Sequence, residues 1–542
     1  MKNIHYICAI ETLGAMQERK YPIGIQTFER IRKEHYIYID KTDLVWRMTK
    51  ESPYVFLSRP RRFGKSLLTS TLHSYFAGEK ELFQGLKIMD LEKEWESYPV
   101  IHIDLSTAKN QDSAKDLRDT LMFILKPLVS EYGMDEDETL PGKLLQGMIK
   151  RACEKTGKQV VILIDEYDAP LLDVLHAEEQ LPEFRRVMQE FYQPLKASES
   201  IVRFCFITGI TKFSQLSIFS TINNLMNISM QPEYASICGI TEEEFVTDMA
   251  SDIAMLAKAY EITPEEMHSK LKQQYDGYRF SEDSPEIYNP FSLLKCFAHR
   301  KLSSYWFESG TPTFLIRQMQ RFRTDIMGMD RIEASASSFD RPTEAMTTAL
   351  PLLYQSGYVT IKDYDRETES YILSIPNKEV RVGLVDGLIP AYTGLDSTAV
   401  QDGFALKFYR ALRKDDMEAA MEEMKSFLAG IPYVEGFKRK LEEVKNYEGF
   451  YEYTFWLIFN MLNVYARTQV KCQGGRIDFV VQMSDTTYVF ELKVNGTAEE
   501  AIGQINSKGY SLPYRTEGRK VVKVGVQFDR DTMTIGEYII SQ

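Results

Sequence analysis

An apolar run, Tyr54-Val-Phe-Leu57, breaks into a basic loop, Arg59-Pro-Arg-Arg-Phe-Gly-Lys65-Ser66, and the loop opens straight into a helical stretch. No other feature restricts the fold as much. A strand feeding a loop and then a helix is half of a βαβ unit, and such units build parallel sheets covered by helices on both faces. The ending Gly64-Lys65-Ser66 fits the phosphate-loop pattern GxxxxGK[ST]. In that reading the loop N–H groups and the helix N-terminus cradle phosphate. Lys65 reaches the β- and γ-phosphates of ATP, and Ser66 ligates Mg²⁺. Arg59 stands where the first glycine belongs, a place where glycine permits positive φ or close backbone approach. Pro60 stiffens the loop, and Arg61 and Arg62 add positive charge. The candidate nucleotide-binding set is therefore Arg59, Arg61, Arg62, Gly64, Lys65 and Ser66. The competing reading is a basic turn before an ordinary helix.

A second motif favours the phosphate loop. Val160-Val-Ile-Leu-Ile164 runs directly into Asp165-Glu166, about 100 residues downstream. Open α/β sheets bind ligands at the carboxyl ends of their strands, so both motifs should converge. Asp165 there can hold Mg²⁺ through water, and Glu166 can polarise an attacking water as a catalytic group. Two further apolar strands, Val100–Leu105 and Arg203–Thr208, complete an α/β region over 19–240. Thr208, at a strand end, is a candidate sensor of the γ-phosphate, with a simple turn hydroxyl an equal reading. Asp168 reads as a helix cap or a support for the site. Lys212 and Arg203 are weaker candidates, and no arginine finger is identifiable.

The rest of the chain reads differently. Residues 241–390 open on a capping pattern at Thr241-Glu-Glu-Glu, run mostly helical and turn β-like near 357–375. They are expected to form a helical lid and a winged-helix-like module. Residues 391–445 read as a charged helical linker, and 446–542 as helix, hairpin, helix, strand. No apolar run approaches the ~18–20 residues that span a bilayer, and the start of the sequence does not read as a signal peptide, so no membrane partner is expected. The six scattered cysteines contain no CxxC pair, which fits a reducing cytoplasm. The net charge of −13 gives no global nucleic-acid signature. Residues 446–542 are nearly balanced, with ten Lys/Arg against eleven Asp/Glu.

The hairpin carries the second constellation. Arg476-Ile-Asp-Phe-Val-Val-Gln482 and Thr487-Tyr-Val-Phe-Glu-Leu-Lys-Val494 are strand-like around a turn at Ser484-Asp485. With a two-residue loop, Asp478 falls opposite Glu491, and opposed residues share a face. Lys493 joins that face by strand alternation. Two carboxylates and an ammonium in one patch suit Mg²⁺-dependent phosphodiester cleavage, with Asp478 and Glu491 as metal ligands and Lys493 stabilising developing charge. Glu448, or Glu452 one turn on, is a candidate further ligand, and Gln504 lies on the following helix. A solvated hairpin face with a Glu/Lys pair is the bland alternative. Lys508 and Tyr510 are candidates for touching a phosphate backbone, or ordinary surface groups.

Taken together, these residues resemble a bacterial family that joins an AAA-ATPase-like domain to a C-terminal PD-(D/E)XK nuclease domain. The match rests on Tyr21-Pro-Ile-Gly-Ile-Gln26, Tyr38-Ile-Asp-Lys-Thr42, the basic loop, Leu163-Ile-Asp-Glu-Tyr-Asp168 and Thr208-Gly-Ile-Thr-Lys-Phe-Ser214. It continues through Tyr275-Asp-Gly-Tyr-Arg-Phe280, Tyr288-Asn-Pro-Phe291, Gly310-Thr-Pro-Thr313, Gly474-Gly-Arg-Ile-Asp478 and Phe490-Glu-Leu-Lys493. The resemblance implies an α/β chain whose 446–542 segment is restriction-endonuclease-like. It makes arginine at 59 normal and gives Lys65, Ser66, Asp165 and Glu166 Walker roles. It gives Asp478, Glu491, Lys493 and Gln504 the nuclease roles, and prefers Glu448 to Glu452, which stands where a histidine is expected. The two constellations in separate domains lead to the expectation of an ATP-regulated, Mg²⁺-dependent nuclease acting on DNA, with room for a homo-oligomer, and the resemblance implies a place in genome defence or mobile-element biology. The alternative is an ATP-switched DNA- or protein-binding regulator with a vestigial nuclease domain, favoured by the balanced charge and Glu452. A stand-alone ATPase motor lacks an identifiable arginine finger.

Overall fold

A computed structural model describes residues 19–172, 174–175, 177, 179–212, 225–309, 313–322, 324–325, 327–342, 346–393, 404, 407–408, 410–429, 465–472, 475–483, 485–494, 496–529, 532 and 534–542. The described residues form two compact units. The second unit takes the chain after Glu379, together with the short stretches 310–317 and 325–329.

The first unit is built on a five-stranded, all-parallel sheet. Its strands are β1 (Tyr54–Ser58), β2 (Val100–Asp104), β3 (Val160–Asp165), β4 (Val202–Gly209) and the short β5 (Met226–Asn227), in the spatial order β2-β3-β4-β1-β5. Every residue of β1 and β3 is buried, as expected when helices cover both faces. The helix Lys65–Phe76 packs across β2, β3 and β4, while Ala114–Tyr132, Pro141–Thr156 and Leu181–Ala197 pack on one another. Register places Ser58 beside Gly209 and Asp104 beside Asp165. The carboxyl ends of these strands therefore converge on one edge.

A helical module follows in the same unit. Strands β6 (Ile240–Thr241) and β7 (Ile287–Tyr288) pair antiparallel beside helices Glu242–Asp248, Ala250–Ala259, Pro264–Tyr275 and Pro290–His299. Their core gathers Phe245, Ile253, Leu271 and Tyr288. The capping pattern at 241 is realised in full, with reciprocal bonds between Thr241 and Glu244. Asp252, fully buried, accepts from the Tyr21 hydroxyl and pairs with Arg19, so the segment before the sheet is fastened to this module. A small antiparallel sheet of order β8-β10-β9 (Ile332–Ala334, Ser370–Ser374, Thr360–Asp365) closes the unit around Phe339 and Leu373.

The second unit holds a mixed sheet, β11 (Tyr465–Cys472), β12 (Gly475–Gln482), β13 (Thr486–Lys493), β14 (Lys520–Asp529) and β15 (Thr534–Ser541), in sequential order. Only β13 and β14 are parallel, joined through the helix Ala498–Ser507, which packs on both. The helix Met417–Ala429, within the segment expected as a linker, packs on β15. The nearby Asp415 accepts from the Tyr488 hydroxyl and from Lys520. Among the described residues no helix is long and apolar enough to cross a membrane.

Candidate nucleotide and nuclease sites

At the phosphate loop, Gly64 adopts φ +91° immediately before the helix Lys65–Phe76, a left-handed conformation that glycine takes at little cost. Lys65 is buried, and its Nζ donates to the carbonyls of Arg59 and Pro60, both at 3.0 Å. Burial lowers its pKa, opposed by Glu166 and Asp165. Asp165 is raised by burial, opposed by a hydrogen bond from Ser66 and by the Lys65 charge. The loop and the acidic strand end thus meet. Glu166 sits at φ +49°, and its Oε2 accepts from Lys109 Nζ at 3.0 Å. Burial would raise this carboxyl, but Lys109, with Lys65 and Arg61 behind it, holds it below the usual range.

Three expected members are placed elsewhere. Arg59 is only 1% exposed and turns inward. Its guanidinium donates to the carbonyls of Ser58, Ser229, Tyr234 and Ala235 and stacks 4.1 Å from the Phe280 ring. Its charge is answered by carbonyl oxygens deep in the unit, so the glycine position is filled by a structural bolt. Arg62 lies 4.0 Å over the Phe291 ring and donates to the Tyr305 carbonyl. Thr208 is fully buried and its hydroxyl donates to the Leu57 carbonyl at 2.8 Å, across the sheet. Of the loop arginines, only Arg61 is exposed.

Asp168 ties two strand ends together. It is buried and accepts from Ile210 N, Thr211 N and the Thr211 hydroxyl. Gly209 allows this, since a Cβ there would lie 2.3 Å from Asp168 Oδ1. Beside Gly64 opens a cleft walled by Pro22, Ile37, Leu67, Leu68 and Ile240 among others. Lys109 and this cleft escaped the motif reading. Lys109 lies 57 residues before its partner, in no recognisable pattern.

At the turn end of the hairpin Met483 N donates to the Thr486 carbonyl, and Ser484 of the expected loop lies outside the described residues. The ladder runs to Phe479↔Phe490. The ladder ends at that pair, and Asp478 and Glu491 are the next residue on each strand, near enough for the Asp478 charge to act on Glu491. There Asp478 Oδ2 accepts from Leu492 N at 2.8 Å. Glu491 is 1% exposed; its Oε1 accepts from Lys493 Nζ at 3.1 Å, while its Oε2 is buried with no hydrogen-bond partner among the described residues. Burial first, then the Asp478 charge, push Glu491 up to about 7. Lys493 Nζ also donates to Gln504 Oε1 at 2.8 Å, so the helix Ala498–Ser507 brings its glutamine to the patch. Tyr510 packs in the core with Ile477 and Ile505. Glu448 and Glu452 lie outside the described residues, and among those described no group of three metal-type side chains occurs.

A divalent cation fits this patch chemically. A buried carboxylate oxygen without a donor, beside a second carboxylate, is the arrangement that positive charge relieves.

A parallel-sheet phosphate-loop unit and a mixed-sheet unit with an Asp/Glu/Lys patch define a protein of two hydrolase-type domains. Residues 22–219 match the family described as Predicted AAA-ATPase, and residues 446–538 match the PD-(D/E)XK nuclease superfamily. An uncharacterized protein in the vnfD 5′ region of Azotobacter chroococcum mcd 1 is 32% identical over 536 residues, covering 97% of this chain and 99% of that one. The chain belongs to the same family as that protein, one that couples an AAA-ATPase-like domain with a C-terminal PD-(D/E)XK nuclease domain.

Proposed function

We propose that this protein is an ATP-binding, Mg²⁺-dependent nuclease acting on DNA, in which the ATPase domain regulates the nuclease. The observation that carries the nuclease reading is the buried Glu491 Oε2, without a donor among the described residues, in a carboxyl that feels the Asp478 charge, with Lys493 held between Glu491 and Gln504. Asp478 and Glu491 would hold the cation, joined by Glu448 if the first-helix acid reaches them. When bound, the cation polarises the phosphodiester and lowers the pKa of its water. Lys493, fixed by two acceptors, is oriented to neutralise charge developing on a phosphate oxygen.

In the first unit, Lys65 would exchange its two loop carbonyls for the β- and γ-phosphates, while Ser66 and Asp165 hold Mg²⁺ and Glu166 orients the attacking water. The apolar cleft beside Gly64 suits the nucleobase. Regulation is supported by a run of contacts from the loop. Arg62 bonds the Tyr305 carbonyl, and the Tyr305 and Trp306 N–H groups donate to Glu379, where the chain leaves the first unit. A role in genome defence or mobile-element biology follows the resemblance.

The test is to incubate the full chain with single-stranded, duplex and nicked DNA, Mg²⁺ or Mn²⁺, with and without ATP. Metal-dependent cleavage that Lys493→Ala abolishes and ATP alters is expected. Equal behaviour of wild type and Lys493→Ala on every substrate sinks the nuclease reading.

A further inference from the structure

We infer that Lys41 is a specificity-determining residue that reads the base of the nucleotide, donating from its ammonium to an acceptor atom of a purine held in the cleft beside Gly64. The inference rests on the nucleotide-binding reading above and deepens it. Of the described residues lining the cleft, Lys41 alone carries a charge. It is 8% exposed, and burying an ammonium against apolar walls is costly without acceptors. One of its three donors is used by Glu244, whose Oε2 accepts from Lys41 Nζ at 2.6 Å. That carboxylate is itself immobilised, since the same oxygen accepts from Thr241 N at 2.8 Å and from the Thr241 hydroxyl at 3.0 Å at the head of the helix Glu242–Asp248. Lys41 is thereby held by a rigid partner at the cleft wall.

A mostly apolar pocket with a few fixed polar groups is how small-molecule sites select orientation and identity, and here Lys41 is the charged one beside Tyr38 and Thr71. A purine brings ring acceptors such as N7 to such a group, and its flat apolar faces suit Leu67, Leu68 and Ile240. The phosphates are handled separately by Lys65 and Ser66. The base and phosphate contributions are therefore separable by experiment.

The full chain is titrated with ATP and with inorganic tripolyphosphate, both with Mg²⁺, by displacement of a fluorescent ATP analogue. Wild type should prefer ATP. Lys41→Met should weaken ATP about tenfold and leave tripolyphosphate unchanged, with Lys41→Arg recovering part of the loss. Lys65→Ala should weaken both ligands. A wild type that binds neither ligand overturns the nucleotide site and this inference together. A wild type that binds both equally, or a Lys41→Met variant that keeps its ATP affinity, overturns the role of Lys41 alone. So does an equal loss of both ligands with a lowered melting temperature, which would assign the Lys41–Glu244 pair to folding.

Discussion

In the phosphate loop, one charge after another is already answered by the protein: Lys65 by two carbonyls, Arg59 by four, Asp165 by Ser66, Glu166 by Lys109. In the hairpin, Glu491 keeps one buried oxygen without a donor among the described residues, close enough to feel the Asp478 charge. The first site must exchange partners when a ligand arrives, which suits a switch. The second keeps a buried carboxyl oxygen unmet, in a group that burial and the Asp478 charge push toward its neutral form, which suits a resident cation. The difference is physical, since a satisfied network costs reorganisation, whereas an unsatisfied buried polar group costs stability until it is met.

The largest effects should come from breaking the hairpin patch. Lys493→Ala is expected to lower DNA cleavage ~100-fold or more, the scale of removing a fixed stabiliser of developing charge. Asp478→Ala should abolish the melting-temperature increase that Mg²⁺ or Mn²⁺ gives wild type, while Lys493→Ala keeps it. A metal-induced increase that survives Asp478→Ala would mean that the two sites do not differ as stated.

Arg59→Gly tests the other side. It restores the residue of the common phosphate-loop pattern, yet it should destabilise the first unit by about 4 kcal/mol, because it leaves buried carbonyls without a donor and opens a cavity. Chemical denaturation measures it. An unchanged or improved stability would show that Arg59 belongs to the ligand cradle after all.

Glu379 is a third, intermediate case. It is buried and accepts two backbone N–H groups, yet burial outweighs them and pushes its pKa up to about 7. A folded-state value above the unfolded one means that the stabilisation is full below about pH 4.5 and is lost as pH rises through about 7. The slope should amount to about 3 kcal/mol across that window, and Glu379→Gln should flatten it. A slope identical in the variant would remove Glu379 as its source.

Much of this could be read from the chain, and the boundary of legibility is instructive. The parallel strands, the left-handed Gly64 and the Asp165 strand end are local signals, carried by a few consecutive residues. The hairpin register was readable because a two-residue turn leaves one pairing. The direction of the Arg59 side chain was not, since the carbonyls at 229, 234 and 235 that hold it come from a loop about 170 residues away. Lys109, and the role of Lys41 within its motif, were not readable for the same reason: each acquires its meaning from a distant partner, Glu166 or Glu244. Sites assembled by local motif announce themselves, and the residues that tune them do not.

Lys109 offers the smallest and sharpest test of the comparison. If the phosphate-loop site is poised by satisfied pairs, removing one partner should retune it without destroying it. Lys109→Met takes away the main force holding the Glu166 carboxyl below its usual range, so the carboxyl's pKa should rise. In the proposed role of orienting the attacking water, Glu166 would act as a base only when ionised. The acid limb of ATP turnover against pH should therefore move to higher pH, with turnover at alkaline pH changed only a few-fold at most. The pair is partly exposed, which weakens it through solvent screening and keeps the displacement modest. A pH–rate profile of kcat for the two proteins decides the matter. A uniform loss at every pH would mean that Lys109 touches the phosphates directly, and the Glu166 pairing would then be only its resting position.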